Sequence, residues 1–425
     1  MTMFETRRLQ NGVRILTARM RDAQSTAVYV GIAAGSRYER PEAAGIAHFA
    51  EHMFFKGTES RPTARHISEE IDGIGGEFNA FTGKEMTAYY VKCAAPDAAI
   101  AVDVLSDMLL ASRFDADEID REKGVIVEEI NMYLDTPRDR VAQAFDSLRY
   151  GNSPIGRPII GTKETVQAAT RATFTSYIDD WYRPERLVIG LGGAVSEEIV
   201  DQAAAAFGSL ASRPSPERPA TSLPTFTTPA IRIERRDSDQ AHVVLGVGGL
   251  PTAHPDRYVL AVLATVLGGG MSSRLFTEVR ERRGLAYYVF AGAGSFDDTG
   301  SLVVRAGVDV RRTDLALQTI AAELRRLVDE DVPEAELAKA RRFLVGRTIL
   351  GLEDPRSVIG HGLRGEILEG GPRPVEEIRE GIEAVTVADV RRLAGELIVP
   401  ELTSLAAVGP FDDEELFRSG LGAIG

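Results

Sequence analysis

The stretch AGIAHFAEHMFFKGT, residues 44–58, sets two of the chain's six histidines and a glutamate among small and apolar residues. Ile46, Phe49, Met53 and Phe54 recur at helical spacing and predict a buried helix. Buried ionisable groups are costly unless something pairs with them or they bind a metal. On a helix turning about 100° per residue, Glu51 falls at about 300° and His52 at about 40° from His48, so all three project from one face. Two imidazoles one turn apart can hold a single Zn²⁺ at about 2 Å each. Glu51 then sits beside the ion's open position, placed to take a proton from water. The plain alternative is two core histidines hydrogen-bonded to that glutamate, which leaves three polar groups hard to satisfy on so apolar a helix.

A catalytic zinc needs a third protein ligand. The stretch DADEIDREKGVIVEEINMYLD, residues 115–135, predicts an amphipathic helix rich in carboxylates. Glu122 and Glu129 are two turns apart and lie nearly on one face, while Glu128 points about 100° away from Glu129. Spacing alone leaves Glu128 and Glu129 both open.

Composition narrows the class. A chain of 425 residues is too long for one ordinary core, and 44% hydrophobic with 26% charged residues is a globular balance. A formal net charge of −14 argues against nucleic acid and anionic membrane as partners, and no apolar run is long enough to span a bilayer. The N-terminal stretch lacks a signal-type apolar core, and its VRIL reads as a strand after an Asn-Gly turn, so a cytoplasmic location is expected. The single Cys93 cannot form an internal disulfide and reads as a buried structural thiol. The glycine clusters Gly268–Gly270 and Gly246–Gly248 lack the partners of a phosphate loop or a dinucleotide fingerprint.

The Pro-rich SRPSPERPATSLPTFTTP, residues 212–229, reads as an extended linker near the midpoint. It divides the chain into 1–212, a linker at 213–230, and 231–425. The halves repeat one pattern. Val28–Gly31 matches Val243–Gly246 at an offset of 215, Tyr89–Lys92 matches Leu302–Arg305 at 213, and helices ending at Leu109 and Leu324 match at 215. Asp117–Ile119 then matches Ala335–Leu337 at 218. Each half predicts an α+β domain, a mostly antiparallel sheet with helices packed on one face. His48, Glu51 and His52 fall opposite Leu263, Val266 and Leu267, and Glu122 and Glu129 fall opposite Ala340 and Arg347. The second half keeps the plan without the metal groups, so one Zn²⁺ per chain is expected.

HFAEHMFFKGT, followed at long range by REKGVIVEE, resembles the insulinase, pitrilysin and mitochondrial processing peptidase family of zinc metallopeptidases, whose inverted His-x-x-Glu-His motif is a class of its own. In that family the third ligand is a glutamate with about seventy-six residues between it and the second histidine, and another acid precedes it by seven. That resemblance selects Glu129 as ligand and Glu122 as the accompanying acid. IDGIGGEFNAFT, residues 71–82, is similar to the family's glycine turn and edge strand, which implies that Asn79, Ala80 and Phe81 contact substrate by strand addition. GGGMSSRLFTEVRERRGLAYYV, residues 268–289, resembles the family's Arg-bearing helix and following Tyr. It implies that Arg280 and Tyr287 bind the substrate carbonyl and steady an oxyanion.

The implied activity is zinc-dependent hydrolysis of unfolded peptides or short polypeptides. Glu51 would be general base and acid, and Glu122 would orient a ligand from behind. The resemblance further implies a chamber of two bowls, of which this chain supplies one, hence a homodimer whose sites are completed by the partner's Arg and Tyr. A presequence-type processing peptidase and a non-catalytic scaffold subunit are the alternatives that the same fold serves. A site of two His and a carboxylate also accepts Mn²⁺ or Co²⁺.

Overall fold

The computed structural model describes residues 3–424. They pack as two compact units, each assembled from three chain segments. The first holds the chain up to Asn131, Arg157–Thr221 and Ile349–Pro374; the second holds Met132–Gly156, Ser222–Thr348 and the chain from Val375 onward. The residues 211–229 carry no helix or strand, as a run of prolines requires.

The first unit is built on six strands: β1 Glu5–Arg8, β2 Arg14–Arg19, β3 Ser25–Ile32, β4 Glu77–Thr82, β5 Thr87–Ala94 and β6 Leu187–Gly193. Their order is β1-β2-β6-β3-β5-β4, so β4 is an edge. Only β2 and β6 run parallel; the other pairs are antiparallel. The second unit has β7 Ala230–Arg235, β8 Gln240–Gly248, β9 Ala286–Ser295, β10 Gly300–Asp309 and β11 Ser404–Gly409, in the order β7-β11-β8-β10-β9. Its one parallel pair is β7 with β11. Strand for strand this is the first sheet without β1, so the internal repeat is a repeat of topology.

The register refines the repeat. Tyr89 lies opposite Val30, and Val304 lies opposite Leu245, which sets this strand match at 215 where the sequence pattern suggested 213. A slip of two residues leaves every side chain on its own face, so an alternating pattern cannot detect it.

Apolar side chains fill both faces of each sheet. In the first unit the helix Ala98–Ala111 packs on β3 and β5, and the helix Ile46–Phe54 packs on β4. On the other face Leu16, Ala27, Tyr29 and Val188 meet Val358, Ile359 and Leu363 of the helix Pro355–Leu368. That helix comes from the chain's second half. In the second unit the helices Arg257–Gly268 and Thr313–Asp329 fill one face. Val141, Ala144 and Phe145 of the helix Pro137–Tyr150, which comes from the first half, cover Val244, Val303 and Val408 on the other. Each sheet therefore has one face covered by a helix that the opposite half of the sequence donates. Gly190 on β6 makes room for one of them, because an added Cβ would stand 2.9 Å from the Ile359 side chain. Burying each such Ile or Leu contributes roughly 1.5–3 kcal/mol.

Cys93 is buried, and burial followed by the nearby Asp97 pushes its thiol up to about 11, as befits an inert core residue. Among the described residues no helix is long and apolar enough to cross a membrane.

Candidate metal centre

The helix Ile46–Phe54 is held at its start and along its apolar side. Gly45 precedes it at φ 94°, with the position of a Cβ only 2.6 Å from the Ile160 carbonyl oxygen, so no side chain fits there. The backbone N–H groups of Gly45 and Ala47 donate to the two Glu39 carboxyl oxygens at 2.9 and 2.8 Å. An acceptor there satisfies the orphan donors at the start of the helix. Phe49 meets the Phe174 ring edge-on at 4.8 Å, and Phe54 meets Tyr89 and Phe114 at 5.2 Å each. With that side locked, His48, Glu51 and His52 share the face left half-exposed.

The helix Ala116–Asp135 runs beside them, burying Ile119, Glu122, Ile126 and Ile130. Its Glu129 places Oε2 3.7 Å from Nε2 of His48 and 3.7 Å from Nε2 of His52. Ligand atoms of His48, His52 and Glu129 all lie within 4.8 Å of one another. Ligands at about 2 Å from a tetrahedral ion stand roughly 3.3 Å apart, so the three need only a small inward closure. Burial, reinforced by His52, lowers His48 to about 4, which keeps its imidazole neutral and its lone pair available at neutral pH. Burial raises Glu129, with His52 pulling the other way. Two nitrogens and one carboxylate oxygen are the donor set of a catalytic zinc site with an open position. Glu128 turns outward and accepts from Asn131 at 3.4 Å, so it is Glu129 that faces the histidines.

The carboxyls around His48 and His52 are individually held. His52 Nδ1 lies 2.9 Å from Glu122 Oε1, and Lys56 Nζ lies 2.5 Å from Oε2. Burial pushes Glu122 up, but hydrogen bonds from His52 and Lys56 outweigh it and hold the carboxyl below the usual range. Ionised, it can only accept, so His52 donates through Nδ1 and keeps Nε2 for a metal. Glu51 is raised by burial, against the Thr82 hydrogen bond and His52; Glu129 adds to the rise. The Thr82 hydroxyl donates to Glu51 Oε2 at 2.5 Å.

The expected substrate residues fall in two places. Asn79, Ala80 and Phe81 lie on the edge strand β4, where Phe81 is 42% exposed and the Ala80 N–H donates to Asn79 Oδ1 at 2.8 Å. Arg280 and Tyr287 belong to the second unit, whereas the metal set belongs to the first. Arg280 sits on the helical turn Phe276–Glu281 with its guanidinium 4.8 Å above the Phe276 ring. Tyr287, near the start of the edge strand β9, is 76% exposed. In the second unit Leu263, Val266 and Leu267 on the helix Arg257–Gly268 are buried and apolar where the first carries its polar triplet. Sequence reasoning missed Lys56, Thr82 and Glu39. Thr82 closes the very strand that was singled out, and its hydroxyl was the available signal.

The chain is similar to known proteins over most of its length. Residues 14–163 match the family model described as insulinase (peptidase family M16), and residues 168–344 match one described as the peptidase M16 inactive domain. An uncharacterized zinc protease of Bacillus subtilis, YmxG, is 39% identical over 403 residues, covering 94% of this chain and 97% of the relative. One from Mycobacterium leprae is 39% identical over 407 residues, covering 95% and 91%. Among solved structures, a protease from Helicobacter pylori superimposes with a TM-score of 0.90 at 22% identity, covering 96% of this chain and all of that one. The peptidase M16 inactive domain from Pseudomonas fluorescens gives 0.88 at 20%, covering 96% and 98%. These two share the fold.

Proposed function

This chain belongs to the insulinase family, peptidase family M16, and from that membership we propose that it is a zinc endopeptidase acting on unfolded peptides and short polypeptides. The observation that carries the reading is the meeting of His48 Nε2, His52 Nε2 and Glu129 Oε2, with Glu51 on the same helical face. A zinc ion held there supplies Lewis acidity, bringing the pKa of water towards neutrality and polarising the scissile carbonyl. Glu51 accepts the proton of the attacking water and returns it to the leaving amine; burial, by raising its carboxyl, improves it as a base near neutral pH. Glu122 fixes the tautomer and ring orientation of His52. The outer edge of β4, with Asn79, Ala80 and Phe81, takes the substrate backbone as an added strand, the Ala80 N–H exchanging Asn79 Oδ1 for a substrate carbonyl, which recognises extended peptides with little demand on sequence. Arg280 and Tyr287 of a second copy complete the site by holding the substrate carbonyl. The description of an inactive domain falls mainly on the half whose equivalent helix carries Leu263, Val266 and Leu267, so it suits a metal-free sister domain and not an inert protein.

The test is metal content together with hydrolysis of a quenched fluorescent peptide. Wild type should carry about one zinc per chain and cleave. Glu51→Gln should keep the zinc and lose on the order of 10²–10⁴-fold in kcat. A wild type that binds no metal and cuts no peptide makes the chain a scaffold subunit instead.

A further inference from the structure

We propose that Thr82 is a positioning residue for Glu51, joining the general base to the outer strand of the first sheet; this rests on the reading of Glu51 as base. The Thr82 hydroxyl donates to Glu51 Oε2 at 2.5 Å and engages one carboxyl oxygen, leaving the other to move the proton. Thr82 is the last residue of β4, two positions beyond Ala80. A threonine suits the task because its branched Cβ restricts χ1 and so fixes where the hydroxyl points.

The hydroxyl is also anchored from behind. Immediately after Thr82 the chain turns, with the Gly83 N–H donating to the Met86 carbonyl at 2.8 Å. That turn is fastened to the segment before the metal-binding helix. The N–H groups of Ser36 and Arg37 donate to the carbonyls of Gly83 and Lys84 at 3.1 and 2.8 Å. The fully buried Arg37 pairs with Glu85 at the tip of the turn. Tyr177 OH in turn donates to the Gly35 carbonyl at 3.1 Å. β4 is thus an edge strand with no further strand paired to its outer flank among the described residues, while its last residue adjoins a firmly fastened turn. A peptide adding to that flank is laid down on the same short strand that holds the base, which keeps the scissile carbonyl and the proton acceptor in one frame.

The experiment uses the full zinc-loaded chain and the variants Thr82→Val and Thr82→Ser. Valine keeps the shape and loses the hydroxyl; serine keeps the hydroxyl. Thr82→Val should lower kcat by about tenfold to a hundredfold, the range for a hydrogen bond to a charged group, with KM unchanged. Zinc content, and the affinity of a labelled peptide for the zinc-free protein, should stay at wild-type values. Thr82→Ser should recover most of the loss. The proposal is overturned if Thr82→Val keeps wild-type kcat, if KM carries the loss, or if Thr82→Ser falls as far as Thr82→Val. Should Thr82→Val lose its fold or its zinc, Thr82→Ala against Thr82→Ser makes the same comparison, and equal kcat in those two overturns it. A wild type that cleaves no peptide defeats the peptidase reading as well, and that outcome is distinct from an active wild type matched by Thr82→Val.

Discussion

At the scale of single residues, Lys56 decides how firmly His52 is held. Glu122 has two oxygens and two partners, His52 Nδ1 on one and the Lys56 ammonium on the other. Without the ammonium, Glu122 Oε2 loses its partner and the carboxylate is held on one side only, so it orients the His52 imidazole less strictly. Lys56→Met should therefore weaken zinc affinity by up to about 10-fold, the lower end of what losing a ligand's direct supporting partner costs. Competition against a chelator measures it, and unchanged affinity would reduce Lys56 to a surface cation. The residue shows where sequence reading stops. Lys56 follows His52 by four positions, but the helix ends at Phe54, so a helical wheel does not reach it. Glu129 and Glu128 illustrate the opposite case. Their faces differ by about 100°, so only the position of the second helix, which no local pattern contains, separates the acid facing the histidines from the solvent-facing one.

At the scale of elements, the start of the helix Ile46–Phe54 depends on Glu39, six residues before Gly45. No local motif marks such a cap, because the carboxyl group arrives from a neighbouring turn and not from the N-cap position itself. Burial pushes Glu39 up to about 8, although the N–H groups of Ala47 and Gly45 and the charges of Arg157 and Lys84 pull it down. The folded state thus holds this proton more tightly than the unfolded chain does. Its contribution is present in full below the unfolded pKa and fades as pH rises through the folded one. Glu39→Gln resembles the protonated acid, so between about pH 5 and pH 8 its Tm should gain steadily on wild type. Glu39→Ala should be less stable by about 1–3 kcal/mol, since helix donors are left without acceptors. Thermal melts of the three proteins across that range check both, and parallel Tm curves for wild type and Gln would refute the first. The other elements were legible in proportion to how local their causes are. The helices at 46–54 and 116–135 follow from periodicity, and the repeat from matching offsets. The helices Pro137–Tyr150 and Pro355–Leu368 were not assignable to their sheets. What docks them is complementarity across the chain, such as Ile359 against the bare face of Gly190.

At the scale of the whole molecule, one chain carries both the metal set and the Arg280–Tyr287 set, on two different units. The proposed two-copy chamber makes a prediction that separates shared sites from self-contained ones. A Glu51→Gln chain lacks the base and keeps Arg280 and Tyr287; an Arg280→Ala chain is the reverse. Each homodimer alone should be nearly inactive. In a mixed dimer, the intact Glu51 of one chain would face the intact Arg280 of the other, while the second site would lack both. Random exchange makes half of the dimers mixed, with one competent site of two, so the mixture should recover about a quarter of wild-type activity. The measurement is peptide hydrolysis after co-incubation or co-expression, with mixed dimers verified by differential tags. Recovery ties the catalytic unit to the pair. Verified mixed dimers without recovery would mean that each zinc site works with its own chain's Arg280 or with none. A dilute, verified monomer with full specific activity would lead to the same conclusion, because a site that needs a second copy cannot keep its rate when the copies separate.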